Sequence, residues 1–100
     1  IPDDSPLHVW ALVFLGTILH QSGEYEMAVE VLTRGPVRKR SLDEGLLALH
    51  YLLGASYMEL KDRAKALQHL RRVYACNADY EDVRERLQVL SGEHENTKSE

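Results

Sequence analysis

One cysteine, three prolines, one tryptophan and one phenylalanine in 100 residues leave little room for several kinds of protein. A single thiol, Cys76, cannot close an internal disulfide, so the chain is not a disulfide-stapled secreted scaffold and fits a reducing, cytoplasmic compartment. With only six glycines and three prolines but 44% hydrophobic residues, it is neither fibrous nor disordered as a whole. The longest strongly apolar run, Val9 to Leu15, is far short of the ~20 residues that cross a bilayer. Asp3 and Asp4 stand where a signal peptide would carry its basic residues, so none is expected. The net charge of −4 argues against general affinity for nucleic acid. One small domain with a single core remains.

What the chain does have is helical periodicity. Apolar residues recur at three- and four-residue spacing almost throughout, and no stretch alternates as a strand would. The first helix is expected over 6–21, with Ser5 as N-cap and Pro6 in the first helical position, where its missing N–H costs nothing. Ser22-Gly23 ends it. A second helix over about 24–33 must stop at Gly35-Pro36. Ser41-Leu42-Asp43-Glu44 reads as a capping box opening a third helix to about Leu60. Asp62 caps a fourth over 63–76. A fifth, over about 80–90, ends at Ser91-Gly92, and residues 93–100, which include no apolar side chain, are expected to be a disordered tail.

The sequence also repeats. With Leu15-Gly16 aligned on Leu53-Gly54, Leu12, Leu15, Gly16 and Leu19 match His50, Leu53, Gly54 and Tyr57. Ala28 then falls on Ala66 and Leu32 on Leu70, while Glu24-Tyr25 corresponds to Asp62-Arg63. This pattern resembles the tetratricopeptide repeat (TPR), a helix–turn–helix unit of about 34 residues with the signature W-x2-L-G-x2-Y, A-x3-F, P. Gly16, Gly54, Ala28 and Ala66 are the small residues that let antiparallel helices approach. Leu15, Leu19, Leu32, Leu53, Tyr57 and Leu70 are the expected filling. Leu12 and His50 replace the signature Trp, Arg40 and Ala78 the final Pro, and Lys61 the turn glycine that Gly23 supplies in the first unit. The two units stand four residues further apart than the signature requires, which predicts a longer connection over 34–41. The implied architecture is all-α: an α-solenoid of two TPR-like units, about 6–35 and 42–77, with a capping helix over about 79–91, within a domain of residues 1–92.

Catalytic chemistry is poorly represented. His8, His20, His50, His69 and His94 include no pair at the one-turn spacing of a helical zinc site, and Cys76 has no cysteine neighbour, so no metal or cofactor is expected. Serine nucleophile elbows and phosphate-binding glycine loops are both missing. His50, between Leu49 and Tyr51, needs a hydrogen-bond partner if buried. The chain is therefore read as a non-enzyme. Positive charge gathers at Arg38-Lys39-Arg40 and along the fourth helix, which the repeat geometry places on the outer, convex side. The resemblance implies protein–protein interaction through an inner groove lined by Trp10, Val13, Thr17 and His20 from the first unit and Tyr51, Ala55 and Met58 from the second. Such an apolar groove suits a peptide or partner helix. Val13, Thr17, Tyr51 and Ala55 replace the Lys and Asn with which chaperone-binding members of the family clamp a carboxylate. Alternatives are an accessory domain of an enzyme and, more weakly, an anion- or nucleic-acid-binding helical domain. The apolar run of the first helix predicts either a further repeat packed before it or self-association through that helix.

Overall fold

A computed structural model describes residues 6–99, with side chains described through Gly92. Five helices follow one another: α1 (Pro6–Gln21), α2 (Tyr25–Leu32), α3 (Glu44–Glu59), α4 (Arg63–Cys76) and α5 (Val83–Ser99). No strand occurs among the described residues. α1 packs on α2 and α3 on α4 as two hairpins; α3 also lies against α1 and α2, and α5 against α4. The result is an all-α helical-repeat solenoid. The expected cap at Ser5 lies outside the described residues.

The small residues of the repeat explain how closely the hairpins close. A Cβ placed on Gly16 would lie 2.6 Å from Cδ2 of Leu32, and one on Gly54 would lie 2.5 Å from Cγ of Leu70. Leu32 and Leu70, like Ala28 and Ala66, are fully buried. The same contact is thus made twice, 38 residues apart, by residues that the sequence alignment pairs. Two apolar clusters result. Val9, Val13, Leu32, Leu46, Leu49 and Leu53 join the first hairpin to α3. Leu47, Ala66, Leu67, Leu70, Val73, Val83 and Leu90 join the second hairpin to α5. Leu42 and Tyr57 touch both clusters.

The turn positions pair as well. Gly23 has φ +84°, and Lys61 in the second unit has φ +65°. A side chain in this left-handed region costs about 1–2 kcal/mol that glycine avoids. Lys61→Gly is therefore expected to raise stability by about 0.5–1 kcal/mol in urea unfolding, after allowing for the greater freedom glycine has when unfolded. A destabilised Lys61→Gly protein would show that the backbone there is not strained.

Three expectations need correction. The N-cap of α3 is Asp43, not Ser41: its backbone is extended and its carboxylate accepts from Leu46 N at 2.9 Å, which moves Glu44 to the first helical position. α5 begins at Val83 and runs through Ser91-Gly92 to Ser99. Glycine stops a helix when it turns left-handed, and among the described glycines only Gly23 does so. Side chains of 93–99 and all of Glu100 lie outside the described residues. Finally, Leu15 is 44% exposed although its counterpart Leu53 is fully buried, because Leu53 lies in the cluster that joins α3 to the first hairpin.

The longer connection is a series of turns over residues 33–43, without an added half-turn of helix. Its packing anchors are Gly35, where a Cβ would meet Cδ1 of Leu49 at 2.7 Å, and Val37 in the first cluster. Its carbonyls are held by α4. Arg72 donates to the carbonyls of Val37 (2.8 Å), Lys39 (2.5 Å) and Arg40 (3.4 Å).

Candidate partner-binding surface

α1 and α3 are the first helices of the two hairpins, α5 follows the second, and side chains link the three helices. His20 of α1 is 3.0 Å from the Ser56 hydroxyl of α3 through Nδ1 and meets the ring of Tyr25 edge-on. Burial, then the charge of Arg86, holds the His20 pKa below its ordinary value. Arg86 of α5 reaches back over α3. Its Nε donates to the Tyr51 hydroxyl (3.1 Å) and to Asp82 (3.0 Å), its Nη1 approaches the Met58 sulfur at 3.4 Å, and its guanidinium lies 5.4 Å from the Tyr51 ring centre. Tyr51 also donates its hydroxyl to Asp82 and packs edge-on against Tyr80. Burial, then that donation to Asp82, raises the Tyr51 pKa.

The seven expected groove residues therefore have different fates. Trp10 is half exposed at the rim, beside Gly45, where a Cβ would touch the indole at 3.4 Å. Thr17 is partly exposed and donates to the carbonyl of Val13 at 2.8 Å. His20, Tyr51 and Met58 are partly buried in the polar network just described. Val13 and Ala55 are buried, at 7% and 1% exposure, so they hold helices together beneath the face. Sequence reasoning missed Asp82 and Arg86. The fifth helix read as a cap, and nothing in its spacing showed that Arg86 would cross to Met58. At one end of the face a cleft of about 340 Å³ is lined by Met58, Glu59, Lys61, Arg63 and Leu90, with Arg63 Nε donating to the Leu90 carbonyl at 3.2 Å.

A second polar cluster sits inside the second hairpin. His50, fully buried, is 2.9 Å from His69 between their Nδ1 atoms, and its Nε2 is 3.1 Å from Nη1 of Arg72. Arginine can only donate, so His50 Nε2 accepts. The neutral His50 proton then sits on Nδ1 and is donated to His69 Nδ1, which places the His69 proton on Nε2. His69 also stacks on Tyr57, which Lys65 overlies. Burial first, then the charges of His69 and Arg72, pushes His50 down to about 3. Burial and the charges of Arg72 and Lys65 lower His69 as well. The cluster is a structural one. Among the described residues no group of His, Cys, Asp and Glu is arranged to hold a metal ion.

Two family models match the chain, both described as tetratricopeptide repeat, over residues 11–44 and 47–80. The chain belongs to the tetratricopeptide repeat family. No curated protein and no solved structure gives a significant match. As TPR units, the two hairpins belong to a class that generally mediates protein–protein interaction and is typically non-catalytic. No helix of the described residues is long and apolar enough to cross a membrane. On the outer side of the TPR stack, Arg38, Lys39, Arg40 and Arg71 are exposed, whereas Arg72 is committed to loop carbonyls and His50.

Proposed function

We propose that this TPR domain is a non-catalytic adaptor or scaffold module that takes a peptide or partner helix on the α1–α3–α5 face, and that α1 is a second surface, for self-association. The observation that carries the first part is the continuity of that face. Trp10, Thr17 and His20, the last hydrogen-bonded to the buried Ser56 beneath the face, lead to Met58, then to Arg86 and the cleft at Glu59, Lys61 and Arg63. The apolar contacts on offer are Trp10 and Met58. Around them lie a cation, Arg86, and the mixed charges of the cleft, so a ligand with apolar side chains and at least one carboxylate is favoured.

Peptides selected from a random library on the full chain provide the probe. Trp10→Ala and Met58→Ala are expected to weaken a selected peptide by about 1–2 kcal/mol each while leaving the circular dichroism spectrum unchanged. Arg71→Ala should leave affinity alone. Equal loss from Arg71→Ala, with steep salt dependence, would move the site to the basic outer side and favour the anion-binding reading instead.

A further inference from the structure

Among the described residues, six of the eight large hydrophobic side chains that remain exposed lie on the first hairpin: Leu7, Trp10, Phe14, Leu15 and Ile18 on α1, and Met27 on α2. On α1 they cluster. Leu7, Ala11, Phe14 and Ile18 follow one another at spacings of four, three and four, the seam spacing of paired helices, with Leu15 beside them. This is the face that the later first-helices bury: Leu49 and Leu53, the counterparts of Ala11 and Leu15, are fully buried, as is Val83 of α5. α1 carries no Asp, Glu, Lys or Arg at all. Leu7, Phe14, Leu15 and Ile18 form a contiguous uncharged patch, at 44–70% exposure each, of the few hundred Å² that marks an interaction surface.

Resting on the proposal that α1 serves self-association, we infer that the occupant of this face is the α1 of a second copy, packed antiparallel about a two-fold axis. The other end of the molecule does not fit. Glu81 just before α5 and Arg84, Glu85 and Gln88 on it are exposed, together with Val89, so head-to-tail stacking there would bury charge against an uncharged helix. An α1 pair needs no charge complement. With the axis between residues 12 and 13, Leu7 faces Ile18 of the other copy, and Phe14, the most exposed of the set at 70%, faces Ala11, the smallest. Large then meets small at the centre of the seam, and the pairing is self-complementary, as a two-fold interface requires.

Sedimentation equilibrium of the full chain tests the dimer, and cross-linking tests its direction. The wild-type chain should dimerise. Phe14→Glu should weaken association by about 30-fold or more with helicity unchanged, since Phe14 is 70% exposed within the chain. In a Cys76→Ser background, a mixture of Leu7→Cys and Ile18→Cys chains should form the interchain disulfide, and neither variant alone should. In the antiparallel pair, like positions lie about 16 Å apart along the axis, beyond disulfide reach. Rapid linking of either variant alone would overturn the antiparallel register while leaving self-association standing. A folded wild-type chain that stays monomeric at the highest attainable concentration would overturn both, and an undiminished Phe14→Glu dimer would overturn the face.

Discussion

Gly54→Leu is expected to destabilise the protein by about 2–4 kcal/mol, one of the largest losses available from a single substitution. A Cβ at position 54 already meets Leu70 at 2.5 Å from Cγ and 2.6 Å from Cδ2, and Leu70 is fully buried. Alanine alone should therefore be harmful there. In an unconstrained helix interior the change from glycine to alanine gains about 1 kcal/mol, so a loss at this position reports steric conflict directly. Gly54→Ala combined with Leu70→Ala should cost less than the sum of the two, because shortening Leu70 opens the space the new methyl needs. Gly92→Leu, where nothing lies within 4 Å, is the control and should stay within about 0.5 kcal/mol of the parent. A Gly54→Leu protein that unfolds in urea at the parent's midpoint would show that the α3–α4 contact is not as close as described.

Acid should weaken the fold well before the carboxylates titrate. The pKa of folded His50 lies at about 3, below the ordinary 6.5, so between these values the unfolded chain binds the additional proton. Stability from this group is fully present above about pH 6.5 and is lost progressively as pH falls towards 3. At pH 5 the loss from His50 alone is about 2 kcal/mol, and His69, also lowered, adds to it. Urea unfolding at pH 7.5 and pH 5 measures the effect. His50→Leu should lower stability at pH 7.5, because His69 loses its donor, yet flatten the dependence on pH. Equal wild-type stability at the two pH values would mean that His50 is not held neutral in the folded protein.

The helices were legible because each is written by local rules. Pro6, Gly23, Pro36 and Asp62 mark boundaries through their own backbone or side-chain chemistry, and α1 and α4 fall where those residues put them. That Gly16 and Gly54 stand where helices approach closely was legible for a different reason: the repeat states it twice. Long-range polar contacts were not. His50 and His69 stand 19 residues apart on two helices, and no periodicity links them. Arg86 likewise shows its role only once α5 lies beside α3. Ser41 misled because a Ser-x-x-Glu pattern and an Asp two residues later compete for the same cap, and the carboxylate nearer the helix took it. Among the expected groove residues, the helix packing that buries Val13 and Ala55 was not readable.

Arg72 sits on the second helix of one unit and grips the connection that leaves the unit before it. In a stacked array, stability divides into what each unit contributes alone and what neighbouring units contribute jointly. Apolar contact between α1 and α3 is already a joint contribution, but helices can slide and re-pack across it. A guanidinium fixed to three carbonyls cannot be shared with a displaced neighbour. Unravelling the connection at 33–43 strands this cation beside a buried imidazole, and unravelling α4 leaves three carbonyls to find water. Neither unit can open while the other keeps its geometry, which makes two imperfect repeats behave as a single cooperative block in hydrogen exchange.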